Sequence, residues 1–374
     1  MRSMRTPERY GASRKLPRSV RPLLLTVVIT LSPVLGIAQT AAPWPEADKL
    51  FRSDPRWLGA DGAFSLDLGN GRVLWLFGDT FVARRRGDTR KDAAFVHNTV
   101  AIQTGYDPSH ASIRFYWRMR KGAPSEIYPS EGQVWMWPSG GIRVGGKLLL
   151  FCTRVATEDK KKSLGFRLAG WNAYIVARPQ EEPPAWTLEK VAEDRGNVIM
   201  ASAVLREGGF VYLFGTSEPE HDLYLARCGI NEIERGRFDA LEWWSGSSWQ
   251  VSESERDPVM RAVGTEASVQ RSPRGGYLEI NSQGFGATDI VMRTAPRLEG
   301  PWSAPQTIYR PPESDCANAF VYAGKSHPEL LGGDIVITYA SNGDDERLAK
   351  DMSIYFPRFV RVRFTYPAPS APEK

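Results

Sequence analysis

One apolar, strand-like segment returns five times along the chain, at residues 74–80, 148–154, 211–217, 277–283 and 335–341, with starts 74, 63, 66 and 58 residues apart. Leu, Val, Ile, Phe and Tyr crowd these segments without helical spacing, the pattern of a short strand buried on both faces. A Gly-rich turn precedes each copy: Gly69-Asn-Gly71, Gly145-Gly146, Gly208-Gly209, Gly275-Gly276 and Gly332-Gly333. Glycine in such a turn supplies the positive φ of a tight hairpin, so another strand lies just upstream. The upstream segments carry a small residue, Ser65, Ser139, Ser202 or Ser268, and the fifth carries His327-Pro-Glu329 instead. A third strand opens at Asn98, Asn172, Asp222 and Asp289, and a fourth carries Trp117, Trp186, Trp249 and Trp302, which read as packing anchors.

Four short antiparallel strands repeated five times predict an all-β fold, a five-bladed β-propeller. A β-sandwich or a two-domain all-β chain is the alternative. No Pro- or Ser-rich linker interrupts the repeats, so one domain is expected over residues 39–366, with 367–374 as a disordered tail.

In an up-and-down blade, the start of the first strand, the end of the second and the start of the third meet at one mouth of the central channel. Here that mouth gathers Asp61, Trp137, Ser202, Glu266 and His327 from first strands, Asp79, Arg154, Asn281 and Gln283 from second strands, and His97, Asn98, Trp171 and Asn172 from third strands. The other mouth receives little but Gly turns, and packing alone gives no cause for such asymmetry. Asp61, Asp79 and Glu266 are the candidate catalytic carboxyls. Glycoside hydrolysis needs one protonated carboxylic acid for the leaving oxygen and one carboxylate to activate water or attack the sugar. The competing structural roles are loop-end bonding of Asp61 and Asp79 to backbone N–H groups and a rim salt bridge for Glu266. Trp137 offers a stacking platform, and His97, Asn98, Arg154, Asn172, Asn281 and His327 are the candidate substrate-binding groups.

Composition narrows the function. The chain is 42% apolar and 24% charged, enough to bury a sizeable core. Its first 38 residues read as a secretory leader: a basic start, an apolar run over 23–38, and Gly36 and Ala38 at the positions of a cut after Ala38. A membrane anchor is the alternative, but the run is broken by Pro33 and falls short of the roughly 20 apolar residues that span a bilayer. A periplasmic or secreted protein without stable membrane insertion after leader cleavage is therefore expected. The leader holds seven of the 48 basic residues and one of the 43 acidic ones, so the net charge of +5 becomes −1 without it. No basic footprint for nucleic acid remains. Cys152, Cys228 and Cys316 are too few and odd in number for a disulfide framework. Cys152 stands where the first and third copies have Gly78 and Gly215, the place of a small buried residue. His97, His110, His221 and His327 lack zinc-ligand spacing, so no cofactor is expected, a Ca²⁺ held by channel oxygens being left open.

The motifs Gly59-Ala-Asp-Gly62, Leu74-Trp-Leu-Phe-Gly-Asp-Thr80, His97-Asn-Thr-Val100, Trp137-Pro-Ser-Gly140 and Ser326-His-Pro-Glu-Leu330 resemble a secreted bacterial propeller family described as a domain of unknown function, some members of which are endo-D-arabinanases. The likeness runs from about Trp57 to Phe364. More distantly, the repeats and Glu266-Ala-Ser-Val269 are similar to the arabinanase/β-xylosidase and invertase families. That resemblance implies Asp61 as base or nucleophile, Glu266 as acid and Asp79 as the carboxylate that tunes their pKa values. Glu266 lies in the fourth repeat where those enzymes carry the acid in the third, and Trp137-Pro-Ser139 stands where they place an Asp. The expected function is a glycoside hydrolase acting on a cell-envelope or extracellular polysaccharide, arabinans among the candidates. A non-catalytic carbohydrate- or envelope-binding propeller is the alternative, and a scaffold for partner proteins a third reading.

Overall fold

The computed structural model describes residues 38–159, 165–330 and 333–365. The expected leader, Ala38 apart, and the expected tail lie outside them. Five antiparallel sheets form a five-bladed β-propeller. Blade 1 is built from Trp57–Gly69, Arg72–Val82, Thr99–Thr104 and Ser112–Tyr116; blade 2 from Val134–Val144, Lys147–Thr157, Phe166–Val176 and Glu189–Asp194. Blade 3 comprises Val198–Glu207, Phe210–Ser217, Leu223–Gly229 and Glu242–Trp244, with a short added strand Trp249–Gln250. Blade 4 comprises Ala267–Arg271, Tyr277–Ser282, Ile290–Ala295 and Gln306–Tyr309.

Blade 5 closes the ring. Its first three strands are Ala319–Ser326, Ile335–Gly343 and Arg358–Thr365, and its outermost strand is Ala38–Pro43, paired antiparallel so that Gln39 faces Phe364. Each boundary between neighbouring blades carries its own apolar core. Trp57, Trp75 and Phe77 pack on Phe356 and Phe359 between blades 1 and 5. Leu74 and Leu76 pack with Leu148 and Leu150 between blades 1 and 2, and Phe151 with Leu213 between blades 2 and 3. Phe214 meets Val269 between blades 3 and 4, and Ile280 meets Ile337 between blades 4 and 5. Removing that apolar surface from water drives closure, at about 25 cal/mol per Å² buried.

Two placements differ from expectation. Trp117, Trp186 and Trp302 flank the outer strands instead of lying in them, and Trp249 sits in the added strand of blade 3. They pack at the edges; Trp186 is buried and donates its indole N–H to Glu181 O. His327 does not open the fifth blade. It follows the first strand, just beyond Ser326, while Ala319–Tyr322 forms the strand's entrance.

The innermost strands of blades 1, 2, 3 and 5 each carry a bulge, at Ala63, Gly140, Ala201 and Ala323, all with positive φ. A bulge adds a residue to one strand and re-aims its side chains. Residues before it, such as Asp61 and Tyr322, thereby point to one mouth, and residues after it, such as Ser65 and Ser326, line the channel. Three of these positive-φ positions are alanine, a conformation that costs an L-residue about 1 kcal/mol, so the ring must impose it.

Candidate active site

Asp61 sits on the innermost strand of blade 1, beside the end of the second strand, where Ala60 pairs with Thr80. Its carboxyl leans over Gly78: a Cβ there would stand 2.5 Å from Asp61 Oδ1, so only glycine leaves it room. Tyr322, from blade 5, donates its hydroxyl to Asp61 Oδ2 at 2.9 Å, and the Tyr355 hydroxyl is shared between the same oxygen at 3.3 Å and Asp79 O at 3.0 Å. Burial, followed by the neighbouring charges of Asp79 and Glu266, pushes the Asp61 carboxyl well above the usual carboxylate range, against the two tyrosine hydrogen bonds.

Arg90 fixes the segment that delivers Tyr355. Its buried guanidinium donates to Leu58 O on the Asp61 strand and to Leu348, Asp351 and Ile354 carbonyls at 2.5–3.0 Å. Tyr355, itself in the left-handed region at φ 62, lies one residue beyond that clamp.

Asp79 lies in the second strand of blade 1, three residues before its end at Val82. Its Oδ1 accepts the indole N–H of Trp137 and Nδ1–H of His97, both at 2.9 Å. The His97 ring stacks on Trp135 at 4.7 Å, so two aromatic residues of blade 2 set the orientation of both donors. Glu266, immediately before the first strand of blade 4, is held by Lys325 Nζ at 2.7 Å. Lys325 is 2% exposed and also donates to Gly62 O and Ala323 O. Burial lowers its pKa, while the carboxylates of Glu266 and Asp61 oppose that shift.

Asp61, Asp79, Glu266, Trp137 and His97 thus share one mouth. Five other candidates are withdrawn from it by their hydrogen bonds. Asn98 is fully buried, gives both amide hydrogens to Tyr128 O and Met136 O, and accepts Tyr128 N–H. Asn172 is spent on Arg154 and Tyr174, and Arg154 on Asn172, Glu131 and Glu193. Asn281 is buried and donates to Glu279. His327 has both ring nitrogens engaged, by Ser65 and Thr338, and burial drives its pKa well below the usual imidazole range. In each case a polar side chain serves other groups of the protein, in its own blade or the next, a use indistinguishable in sequence from ligand binding.

Tyr322, Tyr355 and Lys325 escaped the sequence reading. Lys325 carries a signal, a lone charge inside an innermost strand, whereas Tyr355 lies in a connection with no counterpart in other repeats.

Beneath the carboxyls the channel opens into a cavity of about 320 Å³, walled by Lys325, Ser65, Ser202, Ser268 and Ser326 and ending at Asp67, Arg143 and Glu329. Among the described residues no group of three or more His, Cys, Asp and Glu side chains is placed to hold a metal ion, and no helix is long and apolar enough to cross a membrane. Cys152 is buried, and that burial pushes its thiol well above the usual range.

The model of a family described as a domain of unknown function (DUF5005) matches residues 46–365. No curated relative matches the sequence. Among solved structures, one described as a "putative hydrolase" from Bacteroides ovatus is 18% identical, with 87% of this chain and 90% of that chain covered and a TM-score of 0.71, which establishes a shared fold. An endo-arabinase from Bacteroides thetaiotaomicron is 12% identical over 83% of this chain and 95% of its own, with a TM-score of 0.45. A GH43_1 enzyme from Xanthomonas citri is 14% identical over 87% and 94%, also at 0.45.

Proposed function

The chain belongs to the DUF5005 family, and we propose that its channel mouth hydrolyses glycosidic bonds of a cell-envelope or extracellular polysaccharide, in the periplasm or outside the cell. One observation carries this reading: three partly exposed carboxyl groups converge, and desolvation with the charges of the other two pushes Asp61 toward its protonated form. Unequal environments of this kind separate an acid from a base.

Asp61 is the general acid, keeping its proton because burial and two like charges disfavour its anion. Asp79 is the base or nucleophile. Its partners are an indole N–H and an imidazole, which orient the carboxylate without the compact ammonium that occupies Glu266. Glu266, tied to Lys325, acts by its charge, keeping Asp61 protonated. This division differs from the one the resemblance implies, in which Asp61 is the base or nucleophile, Glu266 the acid and Asp79 the tuning charge. The reason is environmental: the most desolvated carboxyl is the better proton donor.

The test is incubation of the protein with a panel of polysaccharides, D- and L-arabinans included, followed by product analysis. Release of oligosaccharides by the parent and not by Asp61→Asn is expected. Retention of a glycan with no cleavage under any condition would leave a carbohydrate-binding propeller in place of a hydrolase.

A further inference from the structure

Of the six exposed large apolar side chains among the described residues, two, Phe95 at 49% and Phe285 at 52%, belong to aromatic arms that start at the carboxyls. The first arm leaves Asp79 through His97, which stacks on Trp135 at 4.7 Å and meets the edge of Phe95 at 5.8 Å. The second leaves Asp61 through Tyr322, whose ring lies 5.1 Å from Phe285, itself stacked on Phe320 at 5.4 Å. The arms run toward blade 2 on one side and blade 4 on the other. Each of these two rings packs on its neighbours and leaves the rest of its surface to water, and exposed ring faces suit the C–H faces of sugars.

We infer that the site takes an internal stretch of a linear, uncharged polysaccharide, with sugars stacked on both arms and the bond to be broken above Asp61 and Asp79; this rests on the hydrolase reading for the cleavage and not for the binding. Two arms imply a chain that continues past the carboxyls in both directions, hence endo action. The carboxyl groups of the mouth disfavour acidic chains. Between the arms lie the carboxyl groups of Asp61, Asp79 and Glu266, and the cation in contact with them, Lys325, is buried and already committed to Glu266 and two carbonyls. A uronate or sulfate beside the bond would meet the Asp79 carboxyl, whose partners are an indole N–H and an imidazole and not a lysine or arginine.

The experiment uses Asp61→Asn, which binds without turnover, in gels containing linear arabinan, galactan or xylan, with polygalacturonate as the acidic counterpart. Retardation by at least one neutral glycan and none by polygalacturonate is expected. Adding Phe285→Ala or Phe95→Ala, both exposed and so compatible with folding, should weaken that binding by ~3- to 10-fold each, the usual worth of an aromatic contact. With the parent enzyme, early products should be a ladder of intermediate lengths. Equal retardation by polygalacturonate, unchanged binding in both variants, or release of single sugars from the start would overturn the inference. Glycan binding through both arms with no cleavage by the parent would sink the hydrolase reading and leave the binding groove standing; cleavage by a parent whose Phe variants bind normally would do the reverse.

Discussion

Lys325 Nζ lies 2.7 Å from Glu266 Oε2 and bridges blade 5 to the threshold of blade 4. The lysine is buried at 2% exposure and the glutamate is 30% exposed, so the pair is asymmetric: the cation needs its partner more than the anion does. Lys325→Met should destabilise the fold by about 2 kcal/mol, discounted from a fully buried pair because water can reach Glu266. Denaturant unfolding measures it. Loss of the nearby positive charge should also raise the Asp61 pKa, moving the alkaline limb of the rate profile upward. A variant as stable as the parent, with an unmoved profile, would show that the pair is ornamental.

Gly78 keeps the space that Asp61 occupies. A Cβ at this position meets the far end of a side chain, 2.5 Å from Oδ1, so Gly78→Ala should displace the carboxyl at little cost to folding. We expect a melting temperature within a few degrees of the parent and a fall in kcat/KM of roughly 10²-fold, the effect of misplacing a reacting group by about 1 Å. Full activity would mean that Asp61 is not positioned by this contact.

Tyr322 donates to Asp61 Oδ2 and thereby favours its anion. Tyr322→Phe removes that bond, so the carboxyl should hold its proton to higher pH. Because Asp61 acts protonated, the alkaline limb of kcat/KM should move up by about one unit. A downward shift would indicate that the group acts as an anion.

Glu329 lies at the far end of the channel, where burial pushes its pKa from 4.5 up to about 7. The folded state then binds a proton that the unfolded chain has lost, so this group's contribution is complete below pH 4.5 and disappears as pH rises to 7. Its size is on the order of 3 kcal/mol. Glu329→Gln should flatten the decline of stability across that window in thermal melts from pH 4 to 8. An unchanged slope would assign the decline to other groups.

The propeller was legible because each blade repeats the same local demands: a hairpin glycine, an apolar second strand and a downstream third strand. The closing strand Ala38–Pro43 was not, since its partner Arg358–Thr365 stands at the other end of the chain and nothing local marks the pairing. The same distinction separates the site residues. Asp61, Asp79 and Glu266 could be placed at one mouth because strand ends converge by topology. Asn98 and His327 could not be judged, because their fate depends on which backbone groups and hydroxyls come within reach after the blades pack. Tyr322 and Tyr355 became visible only through their shared acceptor, Asp61 Oδ2.

Asp61 and Asp79 are the proposed reacting pair. Turnover of Asp61→Asn and Asp79→Asn beside the parent, on whichever glycan the parent cleaves and with circular dichroism and melting temperature as controls of folding, tests that assignment most directly. Each variant should keep the fold and lose turnover by about 10²- to 10⁴-fold, the usual worth of a positioned acid or base. A folded Asp61→Asn or Asp79→Asn protein that turns over at the parent rate would contradict it.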